Sequence, residues 1–144
     1  MQDRFKFRVW CKTNQEWEKD EICITNKEHY IITNPKFTRV TNIDPQYHEI
    51  NFCSGLKDKN GKLIYEGDIV KYFCPAEYCS DGLHKCPECY SGENGSVHYD
   101  EDLAMYEYRS KSDQCPLTDN INTEEDLEII GNIYENPELL KDGE

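Results

Sequence analysis

The sequence predicts a mainly β fold: a small, curled, SH3-like barrel with an N-terminal hairpin and a short C-terminal helical turn. Ten tyrosines and five phenylalanines among 144 residues favour pleated, half-buried surfaces. An alternating segment opens the chain, and two tight turns near its centre are each followed by strand-forming residues. A chain of this length can bury a real core, so we expect one domain spanning residues 1–144.

The N-terminal segment 4–11 alternates between two faces, which is typical of a half-buried strand. Polar residues 12–15 then supply a turn before Trp17 and the apolar run 22–24, which predicts a hairpin or meander. Residues 25–50 are weakly patterned, with 30–32 and 37–40 as short strands. One face of the first strand carries Phe5, Phe7, Val9 and Cys11, and the other carries Arg4, Lys6, Arg8 and Trp10.

The central segment contains two turns and two strands. Asp58-Lys-Asn-Gly61 predicts a turn before the strand 63–65, because Asn-Gly readily takes positive φ. A second tight turn at 66–68 leads into the strand-forming run 69–73. Such a unit suits a small curled barrel. Alternatively, this rim forms a binding or catalytic edge, because rim turns expose polar side chains, here Tyr65, Glu66 and Asp68.

The C-terminal third continues the sheet. Residues 97–99 and 103–108 are strand-like with a turn at 100–102, although helix competes for the second stretch. Thr123 can cap a short acidic turn, and the strand 127–134 is interrupted by a glycine. Asn136 followed by Pro137 predicts a final helical turn, since Asn caps helices and Pro suits their first position.

Two segments of the chain carry a family resemblance. They are Cys53-Ser-Gly-Leu-Lys-Asp-Lys-Asn-Gly-Lys-Leu-Ile-Tyr-Glu-Gly-Asp-Ile-Val-Lys71 and Leu127-Glu-Ile-Ile-Gly-Asn-Ile-Tyr-Glu-Asn-Pro-Glu-Leu-Leu140. Together they resemble the signature of the YopX family, whose members also begin with a strand containing Phe, Arg and Trp. The family occurs mainly in bacteriophages and integrated prophages, so the resemblance implies a small intracellular accessory protein carried by a virus.

A cysteine cluster gives the sharpest local chemistry. Four cysteines within sixteen residues are spaced C-x4-C-x6-C-x2-C, and four thiolates can close on one tetrahedral zinc ion. The predicted ligands are Cys74, Cys79, Cys86 and Cys89, with His84 as an alternative fourth ligand. Four thiolates would make the site structural, because no coordination position stays open for a catalytic water. Free thiols in a loop, or pairwise disulfides, are the alternatives.

The segment around this cluster is a departure from the family pattern. In YopX-like chains the strand after the central signature turns quickly into the next strand, so residues 74–92 resemble an inserted loop. The remaining cysteines are scattered among strand-like or turn-like segments, and we interpret them as small buried hydrophobes. These are Cys11, Cys23, Cys53 and Cys115.

Charge is distributed unevenly along the chain. The formal net charge is −13, of which residues 93–144 contribute −12, with 3 basic and 15 acidic side chains. An acidic segment repels phosphate and attracts a basic protein surface, although the carboxylates can also form a solvated shell that keeps the protein in solution. The candidate partner-binding residues are Asp100, Glu101, Asp102, Glu124, Glu125 and Asp126.

The absence of catalytic motifs favours a binding protein over an enzyme. The sequence contains no phosphate-binding glycine loop, nucleophile elbow or zinc-hydrolase motif. With the viral resemblance, this predicts a cytoplasmic inhibitor of a basic host nuclease or effector that handles nucleic acid, such as an anti-CRISPR protein. No membrane association is expected, because apolar runs are short.

Two other functions remain open on the sequence. The first is a nucleic-acid-binding regulator that uses the barrel and a zinc knuckle. Its single-stranded ligand would contact the basic side chains of the first strand and stack on Trp10. The second is hydrolysis or capture of a small signalling nucleotide, for which the sequence offers only unordered carboxylates.

Overall fold

The computed structural model describes residues 6–18, 21–24, 29–33, 39–42, 44–72, 94–111, 114–117 and 123–141. The chain divides into two compact units, residues 7–51 (the N-terminal unit) and residues 52–144 together with 1–6 (the C-terminal unit). The described elements are mainly antiparallel strands and include a curled half-barrel, so the predicted fold class is confirmed. The single-domain organisation stays a prediction.

The N-terminal unit is built from short strands. Trp10 and Cys11 of the first strand pair with Trp17 and Glu16 of the second, so the predicted hairpin is confirmed. Its turn ends at Gln15, whose backbone N–H donates to the Cys11 carbonyl at 2.9 Å. The predicted strands near 22–24, 30–32 and 37–40 form a three-stranded antiparallel sheet, of order β3-β4-β5. The strands are β1 Phe7–Cys11, β2 Glu16–Trp17, β3 Glu21–Ile24, β4 His29–Thr33, β5 Arg39–Asn42 and the start of β6 His48–Lys57.

Trp10 contradicts the sequence prediction for the first strand. Its side chain is only 3% exposed, although alternation placed it on the solvent face. Its ring packs edge-on against Trp17, with centroids 5.1 Å apart, and the Arg8 guanidinium carbon lies 4.2 Å from the Trp17 ring centroid. Cross-strand pairing places Trp17 on the same face as Trp10, so the Trp17 ring covers Trp10 and Arg8 in turn lies over Trp17. Stacking of a nucleic-acid base on Trp10 is therefore not available.

The C-terminal unit contains a five-stranded antiparallel sheet of order β11-β10-β9-β8-β12, and β7 pairs with the end of β6. The predicted stretch 103–108 forms a strand rather than a helix, but the strand begins at Met105, because Leu103 and Ala104 belong to the turn. The buried core consists of Ile64, Val70, Val97, Tyr108, Leu117 and Leu127. The elements are β7 Leu63–Tyr65, β8 Asp68–Tyr72, β9 Asn94–Asp100, β10 Met105–Arg109, β11 Gln114–Pro116, α1 Thr123–Asp126, β12 Leu127–Asn132 and a 3-10 helix Pro137–Leu140.

The predicted turns of the C-terminal unit form, with one difference at its end. Gly61 takes a φ of 79°, as the Asn-Gly turn requires, and the register of β12 against β8 shifts between Ile129 and Gly131. Asn136 precedes the final 3-10 helix but makes no side-chain capping hydrogen bond. Its Oδ1 instead accepts the Asn132 backbone N–H at 3.3 Å, so Asn136 fixes the preceding turn.

Candidate functional site

The hairpin between β9 and β10 carries the first acidic triplet. Asp100 Oδ1 accepts the backbone N–H groups of Asp102, at 2.8 Å, and Leu103, at 3.1 Å. Asp100 is partly buried, and part of its carboxylate holds the turn, whereas Glu101 and Asp102 are exposed. The turn therefore directs two carboxylates into solvent. We define the hairpin surface as Tyr99, Asp100, Glu101, Asp102, Leu103 and Tyr106.

Large apolar side chains lie beside these carboxylates. Tyr99 is 40% exposed and Leu103 is 58% exposed. Tyr99 pairs across the strands with Tyr106, and their ring centroids lie 5.0 Å apart. The neighbouring pair, Val97 and Tyr108, is buried in the core on the same face. The pair of Tyr99 and Tyr106 therefore extends the apolar face of the sheet from the buried core to the exposed end of the hairpin.

Sequence reasoning did not single out Tyr99 and Leu103. Both belonged to stretches assigned simply to the sheet, and exposure depends on where the core ends along a strand. One signal in the sequence could have identified Leu103. It follows three consecutive acidic residues, and a solvent-exposed turn has a polar residue at such a position more often than a leucine.

Tyr106 anchors the hairpin to strand β6. Its hydroxyl donates to the Cys53 carbonyl at 3.3 Å. Partial burial, together with the nearby Glu66 carboxylate, Cys53 and Tyr99, raises the pKa of Tyr106 to about 12. The phenol therefore keeps its proton, and with it this hydrogen bond, throughout the neutral range.

His98 and Arg109, on the two strands of this hairpin, do not compensate its acidic charge. Burial lowers the pKa of His98, the nearby Arg109 charge lowers it further, and Glu107 opposes the shift. His98 is consequently neutral at neutral pH, with its Nε2 at 2.7 Å from the Ser96 hydroxyl. Arg109 is itself paired with the buried Glu107, at 3.0 Å between Nε and Oε2.

The second acidic triplet differs from the prediction at one residue. Glu124 and Glu125 are exposed, but Asp126 is 8% exposed and belongs to the interior. Thr123 and Asp126 are three positions apart in α1 and so occupy the same face, which is the buried one. Asp126 is therefore much less accessible to a partner than Glu124 and Glu125, and the partner-binding role of this triplet stays a prediction.

The two triplets lie at opposite ends of the sheet. Asn94, at the start of β9, pairs with Lys71 near the end of β8, so the hairpin at the end of β9 extends past the start of β8. Leu127, which follows α1 directly, pairs with Tyr72 at the end of β8. Antiparallel pairing therefore separates the triplets, and they do not form one acidic patch.

Asp68, on the rim of the central segment, has a structural role. Asp68 is 2% exposed, and its Oδ2 accepts the Tyr65 backbone N–H at 2.8 Å within the turn. Gly67, which precedes Asp68 in this turn, donates its N–H to the Val97 carbonyl at 2.8 Å, and its own carbonyl accepts the Ile133 N–H at 2.8 Å. Of the two carboxylates at this predicted edge, Asp68 is thus buried and hydrogen-bonded to the backbone, whereas Glu66 is half-buried.

Asp58 connects the two segments that carry the family resemblance. It is 1% exposed, and its Oδ1 accepts the backbone N–H groups of Asn60 and Lys62, both at 2.9 Å. Its Oδ2 accepts the Ile129 N–H at 3.0 Å, 71 residues away in the chain. The neighbouring Lys59 N–H donates to the Leu127 carbonyl at 2.8 Å. Both segments therefore act together as the frame of the C-terminal unit.

The cysteine predictions have mixed outcomes. Cys11 and Cys53 are buried, as expected of small hydrophobic residues. The structure does not describe the side chains of Cys23 and Cys115. The inserted loop also lies outside the described residues. The zinc site there therefore stays a prediction for Cys74, Cys79, Cys86 and Cys89, with His84 as the alternative ligand. Within the described ranges, one group of side chains, Cys11, Glu18 and His48, brings three potential ligand atoms within 4.8 Å of one another.

These features define the class of protein: a small antiparallel β protein that contains a curled half-barrel. The buried Asp58 carboxylate joins two of its segments, and one exposed hairpin carries acidic and aromatic side chains. The family model described as YopX protein matches residues 6–141, so the chain belongs to the YopX family. The resemblance found in the sequence is thereby confirmed, while phage or prophage origin stays a prediction.

Solved structures agree with this fold. The crystal structure of protein EF1440 from Enterococcus faecalis has a TM-score of 0.51 and 24% identity, covering 94% of this chain and 96% of that one. Protein yopX from Bacillus subtilis also has a TM-score of 0.51, at 17% identity, covering 93% and 94% respectively. No curated protein matches the chain. Among the described residues, no helix is long and apolar enough to cross a membrane.

Proposed function

We propose that this YopX-family protein is a non-enzymatic, phage- or prophage-encoded accessory protein that works in the cytoplasm of the bacterial host. It binds a basic surface of a host protein that handles nucleic acid and thereby inhibits it, as an anti-CRISPR or related anti-defence protein would. The observation that carries the proposal is the hairpin surface, where exposed Tyr99 and Leu103 lie beside exposed Glu101 and Asp102.

The composition of the hairpin surface suits a protein partner. Protein interfaces are strongest where an aromatic or aliphatic side chain is desolvated at the centre, with polar groups excluding water around it. Tyr99 and Leu103 supply the apolar centre, and Tyr99 is braced by its contact with Tyr106. A purely solvating acidic shell would not require two exposed large apolar side chains among its carboxylates.

The charge of the hairpin surface selects a basic partner. Glu101 and Asp102 can occupy positions in an Arg- or Lys-lined groove that otherwise holds phosphates, and opposite potentials accelerate the encounter. The same carboxylates repel nucleic acid itself. Burial of Trp10 counts against one part of the nucleic-acid-binding alternative, base stacking on that ring. Inhibition by occupation of a phosphate-binding groove is thus the function that these groups support best.

A paired charge reversal tests the proposal. The variant Glu101→Lys/Asp102→Lys should reduce retention of the host partner from a nuclease-treated lysate by roughly tenfold or more, because complementary charges become repulsive. The matched control is Glu124→Lys/Glu125→Lys, which changes net charge equally at the other end of the sheet. It should retain the partner within about threefold, since distant rim charges contribute little to affinity.

The result also has to distinguish the partner class. Retained protein should be identified by mass spectrometry, and its nucleic-acid binding should then be measured with and without the wild-type protein. Loss of that binding in the presence of the wild-type protein, but not of the hairpin variant, is the expected outcome. Equal losses in both charge variants, or retention of nucleic acid without protein, would refute the role given to the hairpin surface.

A further inference from the structure

Three side chains of the N-terminal unit bring together a thiol, a carboxylate and an imidazole. One ligand atom from each of Cys11, Glu18 and His48 lies within 4.8 Å of the other two. Glu18 Oε1 and His48 Nε2 are 3.6 Å apart. We propose that these residues bind a zinc ion, at a site separate from the cysteine cluster of the inserted loop and independent of the function proposed above.

The backbone holds the three residues in place. Cys11 ends β1, and the Glu18 N–H donates to the carbonyl of Val9 on that same strand, at 2.9 Å. His48 begins β6, and its N–H donates to the Asp44 carbonyl at 2.9 Å. The Lys12 N–H joins the end of β1 to the Tyr47 carbonyl at 2.8 Å. The ligands therefore come from three neighbouring segments that are already hydrogen-bonded, so metal binding requires little ordering of the chain.

Burial of the three side chains favours an ion at this position. Cys11 is 5% exposed, and the side chains of His48 and Glu18 are 13% and 19% exposed. His48 Nε2 is the ring nitrogen beside Glu18 and would bind the metal, whereas the other ring nitrogen, Nδ1, is buried without a hydrogen-bond partner. A buried imidazole with an unsatisfied nitrogen is unfavourable, and a metal bond at Nε2 would offset that cost without satisfying Nδ1 itself.

The donor set selects zinc. Zinc is bound by Cys, His and carboxylate ligands in tetrahedral geometry, whereas calcium and magnesium require oxygen ligands. Bond lengths of about 2.0–2.3 Å place tetrahedral ligand atoms roughly 3.3–3.8 Å apart. The Glu18 and His48 atoms already have this separation, and a shift of about 1 Å at most brings all three ligand atoms to it. The fourth position would be filled by water.

A nucleophilic triad is the other chemistry that these residue types suggest. Such a mechanism requires the thiol to reach a substrate carbon, with the imidazole as its base. Cys11 is 5% exposed and ends a strand whose last three residues are all buried. A buried thiol is suited to an ion that enters by small movements of its neighbours, but not to attack on a bulky substrate.

Cobalt substitution tests this site. The predicted ligands of the inserted loop are first removed together, as Cys74→Ser/Cys79→Ser/Cys86→Ser/Cys89→Ser, so that they cannot bind the added metal. Titration of this protein with Co²⁺ should produce a thiolate-to-cobalt charge-transfer band that saturates at about one equivalent, and Zn²⁺ should displace it. Zn²⁺ should also raise the unfolding temperature, because an ion that binds only the folded state stabilises it.

Single substitutions in that background identify the ligands. Cys11→Ser should abolish the charge-transfer band, and Glu18→Gln should weaken Zn²⁺ binding by at least tenfold while preserving the size of a partly exposed side chain. The matched control is Glu16→Gln, the same chemical change at an exposed position of β2. It should bind as tightly as the parent. Circular dichroism of the metal-free variants checks that each is folded.

The proposal is overturned if the loop-substituted protein is folded but gives no charge-transfer band, or if Glu18→Gln and Glu16→Gln bind Zn²⁺ equally. Should Cys11→Ser fail to fold, the Glu18→Gln comparison still decides, because that side chain lies outside the buried core.

Discussion

Asp58→Ala is expected to lower the free energy of unfolding by roughly 3 kcal/mol or more, and thereby to separate the two segments that define the family fold. Asp58 is 1% exposed and accepts three backbone N–H groups, from Asn60, Lys62 and Ile129. Alanine removes both acceptor oxygens, and each hydrogen bond to a charged carboxylate that is lost costs about 1.5–3 kcal/mol. Urea unfolding followed by tryptophan fluorescence and circular dichroism measures the change.

Asp58→Asn separates the contribution of the turn hydrogen bonds from that of the hydrogen bond to Ile129. The amide keeps one oxygen for the turn donors of Asn60 and Lys62, but turns an N–H₂ group towards the Ile129 N–H. We expect a loss between those of the wild type and the alanine variant. Asp102→Ala, at an exposed position of the hairpin, is the surface control and should change stability by less than about 0.5 kcal/mol. A similarly small change for Asp58→Ala would contradict the role of this carboxylate.

The part of the fold that could be predicted from the sequence is the local part. Asn-Gly at 60–61 specifies positive φ, and Gly61 has it. Strand alternation likewise placed the hairpin at the chain start. The bond from Asp58 to Ile129 spans 71 residues, and no local preference encodes it. The turn alone is enough to explain an aspartate at position 58. Nothing in the sequence therefore indicated that Asp58 also joins the two segments.

The candidate site was predictable in charge but not in arrangement. Counting carboxylates located the acidic triplets, yet the order β10-β9-β8-β12 and its register place them at opposite ends of the strands. Burial of Asp126 follows from the one-turn helix that precedes β12. The grouping of Cys11, Glu18 and His48 depends on β1 lying between β2 and β6, which is a property of tertiary pairing.

Gly95→Ala is the second substitution with a large expected effect, because it fills space that a buried ring already occupies. A Cβ at Gly95 would overlap Tyr108 Cε2 and lie 2.5 Å from its Cζ. Tyr108 is 2% exposed and belongs to the core, so its ring cannot move outward without displacing its neighbours. Overpacking of this kind costs about 1–3 kcal/mol or more in the free energy of unfolding. Thermal and urea unfolding measure that loss.

The same substitution connects the core to the hairpin surface. Tyr108 lies two residues from Tyr106 on β10, on the same face, and Tyr106 braces the exposed Tyr99. A displaced Tyr108 should therefore weaken partner retention as well as stability.

The double variant Gly95→Ala/Tyr108→Leu should be more stable than the sum of the single changes predicts, because leucine lacks the ring atoms that overlap the new Cβ. Gly61→Ala, which meets no atom within 4 Å, controls for backbone strain alone and should leave partner retention intact. Additive losses in the double variant would show that the contact between Gly95 and Tyr108 does not limit the packing of this sheet.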